Sequence, residues 1–414
     1  VAMGESLGKN YAKLWAANTV TNIGDGVSIA AGPLLVAAIT DNPALVGGAV
    51  FCQQLPWLLF SLVSGVYVDR LDRRKLVVLV NLLRGALMGL LALFVATGTV
   101  TIPLLYAVLF LLGVGETLAD NASLALLPGV VRPDQLDRAN ARMTAATIAG
   151  GNLAGPPLGA YLFVIAAAVP FGFDAATFVI AALLVWRVRL PAPVREESAG
   201  RSNSSVRSEI AEGVRWLWGQ PVLRLLAQSI LLMNLSLSGV MAIMVFFARE
   251  RLGLGEIGYG LLLTASALGA LLGTALIGAL RRRFTPASLL HVGLLIETAT
   301  HLVLALTRSP LVAGATLVVF GVHTAVWGVL IVALRQRLVP EHLRGRVNSV
   351  YFLFSIGGSA LGALLGGWIA YGWGVTTPFW LACGLMAVVT VLTWRPLTRS
   401  MGTLPQTADL VKEH

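Results

Sequence analysis

The stretch Gly65-Val66-Tyr67-Val68-Asp69-Arg70-Leu71-Asp72-Arg73-Arg74-Lys75 separates two apolar runs. Leu55 to Gly65 is apolar apart from Ser61 and Ser64, and apolar sequence resumes at Leu76. Charge is expelled from hydrocarbon, so a burst of charge between two such runs marks a short loop at a water interface. Its basic residues outnumber its acids, which assigns that interface to the cytoplasmic side.

The rest of the chain has a matching composition. Its 414 residues are 57% hydrophobic and 12% charged, with a mean hydropathy of +0.80. A soluble domain is nearer half apolar and about a quarter charged, so the excess has to face lipid. Cys52 and Cys383 lie in apolar segments and read as unpaired core residues, not a disulfide framework. The five histidines are scattered. The chain has no G-x-x-x-x-G-K-[ST] phosphate loop, metal-ligand cluster or nucleophile elbow. An ATP motor, a metal, a cofactor and enzymatic chemistry are therefore not expected. Val1 to Lys13 is polar and lacks a cleavable signal pattern, so the first apolar run is expected to be a retained membrane helix. The abundance of Arg, Ala and Gly is associated with a GC-rich bacterial source.

A bilayer core is crossed by roughly 20 apolar residues in a helix. Twelve segments qualify, at 14–39, 44–68, 76–97, 102–127, 140–168, 171–189, 223–248, 257–280, 286–307, 310–334, 347–371 and 375–394. Lipid leaves backbone groups no partner, and no barrel-like alternation appears, so an all-α membrane protein is predicted. With both termini cytoplasmic, only Arg249, Arg251 and Arg308 of the 30 Lys and Arg fall in outward loops. This asymmetry accounts for the net charge of +10 through an anionic inner leaflet, without a nucleic-acid partner. A multi-pass protein of the bacterial inner membrane, monomeric, is the expectation.

Residues 190–222 form the longest polar stretch and divide the chain into halves at 1–189 and 223–395, with a tail at 396–414. Pro191 to Ser205 reads as flexible linker. Val206, Ile210, Val214 and Leu217 then recur at helical spacing, which predicts a short amphipathic helix on the inner membrane face. The halves repeat: Gly151, Gly155 and Gly159 match Gly358, Gly362 and Gly366 at an offset of 207, and Gly65, Arg73, Arg74 and Gly85 match Gly273, Arg281, Arg282 and Gly293 at 208. Two six-helix halves related by an axis along the membrane normal are thereby expected.

The pattern G-x-x-x-D-R-x-x-R-R-K at Gly65 to Lys75 resembles the loop between helices 2 and 3 of the major facilitator superfamily, with Asp72 where that family usually has Gly. Gly151-Asn152-Leu153-Ala154-Gly155-Pro156-Pro157-Leu158-Gly159-Ala160 resembles the antiporter motif of its drug-exporting branches, with Ala160 replacing a final Gly. Leu14-Trp15, Asn22-Ile23-Gly24-Asp25-Gly26, Gly32-Pro33, Glu209 to Trp216 and Phe247 to Gly260 resemble the branch holding macrolide, multidrug and siderophore exporters. The resemblance implies a transporter working by alternating access, with segments 1, 4, 7 and 10 lining a central cavity. It further implies that Gly65, Asp69, Arg70 and Arg73 serve a gate, Asp69 near the start of segment 11 at Arg346 to Ser349 and Arg73 beside an acid of segment 4. The bland alternatives are a loop that only sets topology and a glycine seam (Gly151, Gly155, Pro156, Gly159) that only packs the halves together.

Ionisable residues inside the segments each cost about 2.5–3.5 kcal/mol at the bilayer centre, so each is expected to face protein or a cavity. Asn18, Asn22 and Asp25 share one face of segment 1, and Glu116, Asp120 and Ser123 one face of segment 4. Arg84 lies at a depth similar to that of Asp120 and is its candidate partner, with Arg73 a competitor for Asp120. That leaves Asp25 and Glu116 as carboxyls without a cation, the candidates for proton coupling; the alternative is a structural polar network. Asp174 reads as an N-cap of segment 6 and Glu297–His301 as a structural pair. Asn234, His323 and Trp327 are candidate cavity residues. The functional expectation is proton-coupled export of a small amphipathic or hydrophobic compound. An importer or facilitator of the same fold, and a non-transporting membrane receptor or scaffold, are the alternatives.

Overall fold

The computed structural model describes residues 7–189 and 206–402, without the side chains of residues 62–70, 206–210, 342 and 400–402. The described residues form helices and connections without a strand. In order the helices are α1 (Lys9–Ile39), α2 (Pro43–Arg70), α3 (Arg73–Ala96), α4 (Ile102–Leu126), α5 (Pro133–Ile165) and α6 (Val169–Trp186). After α7 (Val206–Gly219) come α8 (Pro221–Ala242), α9 (Glu256–Arg283), α10 (Pro286–Leu306), α11 (Pro310–Leu338), α12 (Arg344–Trp373) and α13 (Thr377–Gly402). All but α7 are long and apolar enough to cross a membrane, twelve in number.

Local chemistry sets several boundaries. Asn42 caps α2 by accepting from the Ala44 amide at 2.9 Å, and Pro43 opens the first turn, where its missing N–H costs nothing. Asp72, which departs from the resembled loop, caps α3: its Oδ1 accepts from the amides of Arg74 at 3.0 Å and Lys75 at 3.1 Å. Residues 147–154 of α5 are wound as a π-helix, and the Gly155 amide reaches back five residues to the Gly150 carbonyl. Pro156 and Pro157 follow and have no N–H to give, so the wider turn is where the ladder adjusts.

The duplication governs the packing. α1 packs on α5 and α6, α2 on α4, and α3 on α4 and α6; correspondingly α8 packs on α12 and α13, α9 on α11, and α10 on α11 and α13. The matched glycines serve matched seams. A Cβ on Gly155 or Gly159 would run into the backbone of Gly26 or Val27 of α1, and one on Gly362 or Gly366 into Leu235 or Gly239 of α8. These glycines thus pack helices within each half, not between halves.

The halves meet chiefly through α2–α12 and α5–α9. Gly47 approaches the Ala363 carbonyl, Gly260 approaches Pro156 and Ala160, and Thr264 Oγ1 donates to the Leu153 carbonyl at 3.3 Å. Arg249 bridges to Asp41 at 2.7 Å. These contacts lie toward the face that carries the α1–α2 connection. Helix α7 docks on α12: Arg346 donates to Glu212 at 2.5 Å, Leu217 is buried, and Trp218 meets Phe354 with ring centroids 5.7 Å apart. Residues 190–205 of the expected linker at 190–222, and residues 403–414 of the expected tail, lie outside the described residues.

Candidate functional site

A polar cleft of about 240 Å³ opens between α1 and α4, backed by α3 and α6 and flanked by α5. Asn18, Asn22 and Asp25 line it from α1, and Glu116, Asp120 and Ser123 from α4. Asn81 and Arg84 of α3, with Gly151 and Asn152 of α5, complete its polar wall. The two stripes of polar residues therefore face one space.

Arg84 is the hub. It is 5% exposed, its Nη2 donates to Asp25 Oδ1 at 2.9 Å, and its guanidinium carbon sits 4.1 Å from the centroid of the Phe178 ring. The candidate partner was Asp120; the structure gives Arg84 to Asp25 instead, because α3 packs on α6, which α1 also contacts. Asp25 accordingly does not stand without a cation. Glu116, Asp120 and Asp174 lie close enough for their charges to act on the same guanidinium. The Trp57 indole of α2 stands near Glu116.

Asp174 is not an N-cap. Helix α6 begins at Val169, with Pro170 in its first turn, so Asp174 falls inside the helix and is fully buried. Ser28 of α1 donates to its Oδ2 at 2.6 Å and Thr177 to its Oδ1 at 3.1 Å. A Cβ on Gly24 would collide with Asp174 Oδ1 and Thr177 Oγ1, and one on Gly26 with the Gly151 carbonyl. Gly24-Asp25-Gly26 thus lets α1 approach α6 on one side and α5 on the other while presenting Asp25 to Arg84. Gly115 makes similar room for Arg84, whose Cγ would lie 2.9 Å from a Cβ there. The acids differ in depth: Asp120 is exposed to the cleft, Asp25 and Glu116 are half-buried, and Asp174 is sealed.

A second groove, about 690 Å³, runs along the α1–α5 seam on a different face of α1. Tyr11, Trp15, Ile23, Ala145 and Ala149 make it largely apolar, and Arg142 stands at one end.

Other candidates are placed elsewhere. His323 and Trp327 are 3% and 5% exposed and face α10, where a Cβ on Gly293 would touch both, so they belong to the interior of the second half and not to a cavity wall. Asn234 bonds the Ile230 carbonyl of its own helix at 2.9 Å. Arg73 donates to the Ala125 carbonyl at the end of α4 at 3.1 Å. Gly65, Asp69 and Arg70 fall on the last turns of α2, and their side chains lie outside those described. Among the described residues no group of His, Cys, Asp and Glu is arranged to hold a metal ion.

A family model described as transmembrane secretion effector matches residues 7–409. The chain is 27% identical over 382 residues to the multidrug efflux pump Tap of Mycolicibacterium fortuitum, covering 88% of this chain and 90% of Tap. It is 26% identical over 366 residues to the enterobactin exporter EntS of Salmonella typhi, covering 86% and 85% of the two chains. In fold it is similar to a bacterial homologue of the human lysosomal transporter Spinster in an inward-facing, occupied conformation, with a TM-score of 0.74 at 14% identity over 94% of this chain and 96% of that one.

Proposed function

Because the chain belongs to the transmembrane secretion effector family of the major facilitator superfamily, we propose that it exports a small amphipathic compound in exchange for protons by alternating access. One observation carries the reading: three carboxyls, Asp25, Glu116 and Asp120, line one cleft with a single guanidinium, Arg84, which is paired with Asp25 at 2.9 Å. If all three were ionised, two negative charges would stand uncompensated, at a desolvation cost larger for half-buried Glu116 than for Asp120, which is exposed to the cleft. Such a set holds protons, and the number it holds changes when a ligand or a conformational change alters the surroundings.

The cleft and the groove lie on adjacent faces of α1 and supply a polar and an apolar surface. An amphipathic substrate would set its polar end at Asp120 and Glu116 and its apolar part along Trp15 and Ile23. The halves are packed toward the α1–α2 face, which the charge pattern assigns to the outside. That supports reading the present conformation as open to the cytoplasm. Substrate entering there displaces a proton from the acids; rocking of the halves exposes the site outward, where protons displace substrate. The names of the relatives Tap and EntS, a drug pump and a siderophore exporter, favour the outward direction. One proton crossing about 150 mV is worth roughly 3.5 kcal/mol, which sustains a gradient of a few hundredfold for a neutral compound.

Accumulation of a panel of antibiotics and siderophores in cells expressing the protein tests this. Lower accumulation that is abolished by an uncoupler is expected; accumulation raised by expression would replace export with import.

A further inference from the structure

The second half holds a polar cluster of its own, in the layer between α10 and α11. His323 Nε2 lies 3.1 Å from Glu297 Oε2, and His301 Nε2 lies 3.6 Å from Glu297 Oε1. Glu297 and His301 are each 1% exposed and His323 3%. The longer distance exceeds a hydrogen bond. Among the described residues, Glu297 Oε1, both ring nitrogens of His301 and the Trp327 indole N–H have no hydrogen-bond partner. Buried polar atoms are nearly always paired, so unspent capacity on this scale needs an explanation beyond packing. The duplication places the cluster in the layer that corresponds to the α3–α4 contact of the first half: Gly113 packs on α2 as Gly321, 208 residues on, packs on α9.

Among the described residues, the other ionisable groups on the packed elements lie toward the helix ends. α11 brings His323, and its Arg335 and Arg337 lie in its last turn. α9, packed on α11, carries Glu256 and Tyr259 at one end and Arg281, Arg282 and Arg283 at the other. α13 meets α10 here through Thr390, which contacts Thr298 at 3.2 Å; its Arg395 and Arg399 lie nearer its end. His291 of α10 is held by the Trp394 carbonyl at 3.0 Å.

We propose that Glu297, His301 and His323 bind a proton as one unit, a second proton site sealed inside the C-terminal half. With the carboxylate ionised and both imidazoles neutral the cluster carries one negative charge. One proton from water, shared across His323 Nε2 and Glu297 Oε2, brings it to neutrality; a second, on His301, makes it cationic. Low exposure penalises the cationic, doubly protonated form, so a proton on one member of the cluster opposes a second on another. Coupling of this site to transport rests on the proton-exchange reading above; proton binding itself does not.

The test is nitrogen-15 imidazole NMR of the full-length, histidine-labelled protein in detergent from pH 5 to 9, with His301→Gln and His323→Gln to assign the signals. His301 and His323 are expected to titrate interdependently, and Glu297→Gln to move both midpoints by at least one pH unit. Two independent titrations unaffected by Glu297→Gln overturn the proposal. If Glu297→Gln does not fold, the wild-type curves decide: two histidines titrating independently, each at the ordinary pH, sink it. In transport assays His323→Gln should displace the pH–rate profile; an equal loss of rate at every pH would mark a structural role and overturn the coupling. Glu116→Gln should leave the imidazole titration in place. If the wild type moves no protons with substrate while the coupled titration persists, the export reading fails and the site stands.

Discussion

Asp25 owes its position to the glycines beside it. Gly24 admits Asp174 and Gly26 admits the α5 backbone, so α1 sinks into the bundle far enough for Asp25 to reach Arg84. Removing the cation should therefore cost more than removing the acid. Arg84→Ala is expected to destabilise the protein by about 3 kcal/mol, the lower end for breaking a buried pair, since the Asp25 side chain is 35% exposed to the cleft. Adding Asp25→Asn should recover part of that loss; detergent unfolding of the two single variants and the double variant measures it, and strict additivity would contradict the pairing. The stripes of Asn18, Asn22 and Asp25, and of Glu116, Asp120 and Ser123, were legible because helical spacing alone puts them on one face. The choice of Asp25 over Asp120 as the partner of Arg84 was not, because it depends on how α6 draws α1 and α3 together. Asp174 was misread because Pro170 opens α6 instead of preceding it.

Helices α5 and α12 carry the same device at equivalent places. At Gly159 and Gly366 a side chain would enter the backbone of α1 and α8 respectively. Gly159→Leu and Gly366→Leu should each cost about 1–3 kcal/mol through overpacking, read as lowered thermal stability; a loss at only one site would break the equivalence of the halves. Helix α7 was predicted from its apolar spacing. Its docking partner was not, because Glu212 meets Arg346 across 134 residues of chain. Glu212 is 50% exposed, so Glu212→Gln should change stability by less than about 1 kcal/mol; a larger loss would make α7 a main support of α12. The glycine triplets foretold tight seams but not that the seams lie within each half: the period of a repeat identifies equivalent helices without saying which neighbours they touch.

The molecule as a whole is two copies of one packing plan. Twelve crossings and their lengths were readable from hydropathy because the bilayer sets both, and the duplication was readable from glycines and arginines that recur at a fixed offset. The conformation was not, because one sequence serves every state of a transport cycle. The bridge from Asp41 to Arg249 joins the halves beside the α1–α2 connection. Cysteines at both positions, joined by a short reversible crosslinker, should arrest transport, and reduction should restore it; full activity while crosslinked would mean that this face does not open. The most direct measurement is proton movement in proteoliposomes on addition of a transported compound, with the wild type beside Asp25→Asn and Glu116→Gln. Substrate-dependent proton flux in the wild type that is lost in both variants is expected; substrate movement without proton flux, or flux unchanged in both, would contradict exchange at this cleft.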